Sequence, residues 1–266
     1  MPEPRKSPVD PEAYTEDYYL GCASGFDQWE ASRGLDVPPL VFDLFRRAGV
    51  GPGCRVLDIG CGRGEVVLNA ARAGATAIGI DYSDAALGLA RRMQGAHPDF
   101  AARASFLKCD AKSLPLPAAS IDRAFMLDVV EHLHPWELDL ALREVRRVLR
   151  PGGALFVHTM PNRHFYRYVY PLLRLAARAQ GTRLPADPRS PYEHDLHVAE
   201  QTPAMLRSSL QRAGFEVSIW FSDFVRSPLR RGPLDRVVRA IGKRPPLRRV
   251  AAFNIFAEAR PGRSGR

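Results

Sequence analysis

The chain has 266 residues, 45% of them apolar, which suits one domain with its own core. No apolar run reaches the length of a bilayer crossing. The formal charge of +9 comes almost wholly from arginine, concentrated in residues 163–189 and 226–249. These stretches are not interleaved with aromatics on a recognisable nucleic-acid module, so they read as a solvated face and nucleic acid is not an expected partner. Cys22, Cys54, Cys61 and Cys109 show no metal-ligand spacing, and no hydrophobic stretch follows Met1–Pro8 as a signal peptide requires. Reduced thiols in a cytoplasmic protein are the natural reading.

In chain order, residues 1–13 read as a disordered lead-in. Residues 14–52 hold Tyr14, Tyr18, Tyr19, Phe26 and Trp29 and then the helix-like run Leu40–Phe45, and are expected to form an N-terminal cover. A strand over Val56–Ile59 feeds a turn, Asp58-Ile59-Gly60-Cys61-Gly62-Arg63-Gly64, and a helix over Val66–Ala73. A second strand, Thr76–Ile80, ends in Asp81-Tyr82, and a helix follows from Ser83 to Gln94. A third, Ala104–Lys108, ends in Cys109-Asp110-Ala111. A fourth, Ile121–Leu127, ends in Asp128-Val129-Val130-Glu131-His132. Leu138, Leu142, Val145 and Leu149 form one stripe of a helix over Glu137–Arg150, closed by Gly152-Gly153, before a fifth strand over Ala154–His158.

An insertion at 161–201 is expected as a lid. After it come a helix over Thr202–Ala213, a strand over Phe215–Trp220, a basic excursion at 226–250 with a helix near 234–241, and a closing strand over Ala252–Ala257. The tail, 261–266, reads as disordered. Repeated strand–helix units imply an α/β domain, 14–260, with a parallel sheet covered on both sides and ligands at the carboxyl ends of the strands.

Glycines in the first turn let backbone approach a ligand more closely than a Cβ would permit. A dinucleotide fingerprint needs glycine at the sixth position, where Glu65 stands, so an NAD site is excluded. The pattern Asp58-x-Gly60-x-Gly62-x-Gly64, with carboxylates at the next strand ends, resembles the class I S-adenosylmethionine (SAM) dependent methyltransferases, in the type 11, quinone-biosynthesis-like group. The resemblance covers roughly residues 53–160. It implies a Rossmann-like seven-stranded, mostly parallel sheet with helices on both faces and an antiparallel last strand. It implies SAM as cofactor, with Gly60, Gly62 and Gly64 shaping its cradle and Asp58 orienting its amino group or the turn. Asp81 would hold the ribose hydroxyls, beside Tyr82, and Asp110 with Ala111 the adenine. Leu127 would line the site, and Tyr19 would cover the methionine part.

Methyl transfer is an in-line displacement, so near-attack positioning is the main task. A hydroxyl acceptor also profits from a base, and His132, beside Glu131, is the first candidate. The chemistry requires no metal. A second reading takes Asp128-x-x-Glu131-His132 as similar to the Glu-x-x-Glu-His motif of metal-dependent small-RNA 2′-O-methyltransferases, with His197 completing a divalent-metal set. The leading expectation is methyl transfer to an oxygen of a small-molecule acceptor, lipophilic or anionic. A metal-assisted RNA 2′-O-methyltransferase and a non-catalytic SAM-binding protein are the alternatives. The insertion's basic, amphipathic character also suits peripheral contact with a membrane surface.

Overall fold

Seven apolar runs pair edge to edge: β1 (Arg55–Ile59), β2 (Thr76–Asp81), β3 (Ala104–Lys108), β4 (Ile121–Leu127), β5 (Leu149–Thr159), β6 (Phe215–Trp220) and β7 (Ile255–Pro261). The computed structural model describes residues 6–21, 26–37, 39–221, 235–236, 239–240 and 243–262. The strand order is β3-β2-β1-β4-β5-β7-β6. β1 to β5 run parallel, and β7 is antiparallel to both β5 and β6. This is the expected Rossmann-like sheet with an antiparallel last strand.

The helices among the described residues include α1 (Glu16–Gly21), α2 (Phe26–Ala31), α3 (Pro39–Ala48), α4 (Glu65–Arg72), α5 (Asp84–Gly95), α6 (Pro98–Ala101), α7 (Pro135–Val148), α8 (Tyr170–Ala179), α9 (Pro191–Leu196), α10 (Pro203–Arg212) and α11 (Arg248–Ala251). Alternation along the strands sorts them onto two faces. Val56, Phe125 and Phe156 join a core with α3, α4 and α5. Leu57, Ile59, Met126 and Val157 point the other way, to α7 and α10. Phe125 and Phe156 stack at 5.6 Å between centroids, both fully buried. Each such side chain contributes roughly 1.5–3 kcal/mol through burial.

β1 has β2 on one side and β4 on the other, so the chain's strand order reverses there. A crevice opens outside the carboxyl ends at such a point, because the flanking connections diverge to opposite faces.

Local chemistry sets most helix ends where the sequence implies. Ser83 caps α5 by accepting from Ala86 N, and Thr202 caps α10 by accepting from Met205 N. The helix expected over 137–150 ends earlier, at Val148, and β5 already includes Arg150-Pro151-Gly152-Gly153. Pro151 disfavours helical backbone in the residue before it, which is the physical reason for this correction. The closing strand also starts later than expected, at Ile255, because Phe253 turns into a third apolar cluster with Phe165, Tyr170 and Leu173.

Residues 6–13 are among the described residues. Asp10 caps the turn Pro11–Ala13, Trp136 Nε1 donates to the Lys6 carbonyl at 3.3 Å, and His134 Nε2 lies 3.0 Å from the Ser7 carbonyl. The two long-range contacts are made by backbone carbonyls, so composition did not reveal them. Pro261 and Gly262 are held as well, the latter donating to Gly214 O at 2.9 Å. Residues 1–5, 263–266 and most of the basic excursion, with its helix near 234–241, lie outside the described residues.

The 161–201 insertion divides in two. A π-helical turn, Phe165–Val169, continues into α8 and packs on Phe253, while residues 190–197 turn toward the crevice. Tyr168, Leu172 and Leu175 remain exposed on the first half.

Candidate active site

A cavity of about 650 Å³ fills the crevice at the strand tips. Asp58, Gly60, Gly62, Asp81 and Tyr82 line it, and so do Asp110, Ala111 and Leu127. Tyr19 closes one side, its ring 3.6 Å from where a Cβ on Gly62 would stand. Gly64 does not line the cavity. It lets the start of α4 pack against β3 and α5: its φ is +88°, and a Cβ there would meet Phe106 Cζ at 2.9 Å and Ala90 Cβ at 3.0 Å. Gly60 is equally constrained, at φ +67° with a hypothetical Cβ 2.5 Å from Val129 Cγ2. L-residues avoid this left-handed backbone, so turn and packing both require glycine.

Asp81 ties the turn to β2. Its Oδ2 accepts from Gly62 N at 3.0 Å and its Oδ1 from Ser83 N at 2.9 Å. Burial raises its pKa, and these backbone N–H groups partly offset the rise. Each oxygen retains lone-pair capacity for a ligand. Asp58, buried on β1, is held well above the ordinary carboxylate value by burial and then by the charges of Glu65 and Asp81. Asp110 is half-exposed, paired with Lys112 Nζ at 2.9 Å.

The N-terminal segment is fastened to this turn. Buried Arg63 pairs with Glu65 at 2.7 Å, donates to the Tyr19 carbonyl at 3.1 Å and lies over the Trp29 ring at 5.2 Å.

Past the β4 tip the arrangement departs from the sequence reading. Asp128 takes a left-handed φ of +53°. Its Oδ1 lies 2.9 Å from His158 Nδ1, and His158 Nε2 meets Asn254 Oδ1 at 3.0 Å. Burial would raise Asp128, yet His158's charge and hydrogen bond hold it below its ordinary value. Burial would lower His158, and Asp128 raises it instead. The two are a buried pair in which each favours the other's charged form.

Glu131 is fully buried, accepting from Thr159 Oγ1 at 2.8 Å. Burial, and then Asp128's charge, push it up to about 8, which favours its neutral form. His132 is pushed down to about 3 by burial and then by His197, so it is a neutral imidazole. Its Nδ1 lies 2.9 Å from the Tyr14 hydroxyl and 3.2 Å from the Leu196 carbonyl. Its Nε2 has no hydrogen bond among the described residues. His197 packs edge-on at 4.7 Å between ring centroids.

The four-residue metal set does not assemble. Glu131, His132 and His197 bring one ligand atom each within 4.8 Å of one another, but Asp128 is committed to His158. Glu131 also accepts from Thr159 Oγ1 at 2.8 Å.

Sequence reasoning missed Tyr14's contact with His132, and missed His158, Asn254 and Thr159. His158 carried one signal: it lies one residue from the end of the strand beside β4, in register with Leu127, next to Asp128.

Residues 57–157 match a family model described as a methyltransferase domain. A probable SAM-dependent methyltransferase from Mycolicibacterium smegmatis is 33% identical over 165 residues, 61% of this chain and 52% of the relative. A ubiquinone biosynthesis O-methyltransferase from Agrobacterium fabrum is 36% identical over 111 residues, 41% of either chain. The chain spans about half the length of these curated relatives or less. A solved SAM-dependent methyltransferase from Methanosarcina mazei shares the fold at 20% identity and a TM-score of 0.56, over 86% of this chain and 100% of that one. With its glycine turn and strand-tip carboxylates, this chain is similar over residues 57–157 to the methyltransferase domains of SAM-dependent enzymes.

Proposed function

We propose that the protein transfers a methyl group from SAM to an oxygen of a small-molecule acceptor. One observation carries this reading. The cavity that holds the carboxylates of β1, β2 and β3 also receives, at the tip of β4, a neutral histidine with one ring nitrogen unengaged. When bound, SAM supplies an electrophilic methyl on a sulfonium. Asp81 accepts from the ribose hydroxyls, Asp110 and Ala111 meet the adenine, and Asp58, Gly60 and Gly62 receive the methionine end under Tyr19. Tyr82 and Leu127 wall the nucleoside.

His132 Nε2 accepts the acceptor's hydroxyl proton. A base this weak holds no proton at rest and takes one only as the oxygen commits its electrons to the new bond. Glu131, in its favoured neutral form, adds no second negative charge beside Asp128 and braces β5 through Thr159. The acceptor end is lined by Tyr18, Leu133, Met160 and Tyr192, which favours an apolar or aromatic body carrying the hydroxyl. The printed name of the Agrobacterium relative points to the same atom.

The test is transfer of labelled methyl from SAM to a panel of hydroxylated aromatics and to cell extract, with the product identified by mass. Label on oxygen in wild type but not in His132→Ala, with SAM binding retained, supports the reading. Label on nitrogen or carbon overturns the oxygen assignment. SAM uptake without any transfer returns the chain to a non-catalytic binder.

A further inference from the structure

We propose that Tyr14 is a positioning residue that fixes the tautomer and orientation of His132, an inference that rests on the base assignment above. Two groups approach the same ring nitrogen, the Tyr14 hydroxyl at 2.9 Å and the Leu196 carbonyl at 3.2 Å. A carbonyl only accepts, so Nδ1 carries the proton and the Tyr14 oxygen shares it as second acceptor. The opposite tautomer would set the Nδ1 lone pair against the carbonyl lone pairs. The arrangement therefore leaves the lone pair on Nε2, the nitrogen without a protein partner among the described residues.

Tyr14 suits this task because a phenol oxygen can accept as well as donate. Its ring lies 5.5 Å from that of Tyr82 between centroids, which offers the Tyr14 proton a nearby acceptor. Burial keeps the phenol protonated, so no phenolate competes for the imidazole proton.

The backbone of Tyr14 is anchored as well. Its carbonyl accepts from Ser83 Oγ at 2.9 Å, and that same oxygen caps α5, two residues beyond Asp81. Leu196 ends α9, in the part of the insertion that turns into the cavity. The two segments flanking the cavity thus meet at Nδ1, and the orientation of the ring depends on both.

Tyr14→Phe removes one oxygen and keeps the ring that packs edge-on against Tyr18. The expected result is a fall in kcat of roughly 10- to 100-fold, the scale of a misplaced reacting group. SAM affinity should stay within about two-fold, because no cofactor-facing atom changes. In the His132→Ala background the same substitution should cost nothing more. The ¹⁵N spectrum of His132 gives a readout independent of turnover. Wild type should show a protonated Nδ1 and a bare Nε2, and Tyr14→Phe should broaden or mix the two tautomers. A Tyr14→Phe enzyme with kcat within two-fold of wild type, or a wild-type spectrum with Nε2 protonated, overturns the proposal while leaving the base reading intact if His132→Ala is dead. Full turnover by His132→Ala sinks the base reading, and this inference falls with it.

Discussion

Asp128 Oδ1 sits 2.9 Å from His158 Nδ1, across two neighbouring strand tips whose backbones are also joined by Asp128 N donating to His158 O at 3.0 Å. The pair spends the carboxylate that a metal set would need. Asp128→Asn should therefore lower the pKa of His158, because the carboxylate that raises it is gone and burial alone remains. Proton-detected titration of His158 reads this directly. A loss of about 1–3 kcal/mol is expected, near 2–9 °C in Tm for a chain of this size. An unchanged titration would remove the pair.

Stability should also depend on pH through Glu131. Its carboxyl is raised in the fold from 4.5 to about 8, so between those values the folded state holds a proton that the unfolded chain has released. Stability attributable to this group thus falls as pH rises through that window and is highest below it. Glu131→Gln mimics the neutral acid and should flatten the decline of Tm between about pH 5 and 8. The same slope in both proteins would refute a protonated Glu131.

Asp81→Ala removes the carboxylate that ties Gly62 to Ser83. SAM affinity should weaken at least ~10-fold, the loss expected for a charge-assisted contact. Calorimetry against SAM and its demethylated product checks it, as does loss of the ligand's upward shift in Tm. Wild-type affinity would take Asp81 out of the nucleoside site.

Two glycines offer a matched contrast. Gly60→Ala forces a side chain into left-handed backbone and against Val129, so a loss of at least ~1–2 kcal/mol is expected. Gly88 lies on exposed α5, with nothing within 4 Å of an added Cβ. Gly88→Ala should raise stability by roughly 0.5–1 kcal/mol through helix propensity. Urea melts compare the two.

Exposed Tyr168, Leu172 and Leu175 share the α8 region with Arg167, Arg174 and Arg178, which fits peripheral contact with an anionic lipid surface. Wild type should co-sediment with anionic vesicles, less so in high salt, and Leu172→Ser/Leu175→Ser should not. Equal sedimentation of both proteins would leave the leucines as ordinary surface.

The half of the cavity assigned to the cofactor was legible because its chemistry is local. Asp58, Asp81 and Asp110 each end or follow a strand, so strand spacing and the glycine turn place them without knowledge of distant contacts. The acceptor half is assembled by pairings that no short window contains. Tyr14 meets His132 across 118 residues, and His158 meets Asn254 across 96. Helix periodicity also ran on to Arg150, although Pro151 held the information that stops it. The placement of residues 6–13 depended on main-chain acceptors, to which hydropathy is blind.

Buried Arg63 gives the N-terminal segment a consequence beyond shelter. It grips the Tyr19 carbonyl, Glu65 and the face of Trp29 at once. Moving the Tyr19 backbone away from Gly62 would unfasten that clasp. With nucleoside bound as proposed, its exchange is expected to slow with this latch, and Arg63→Ala should speed release.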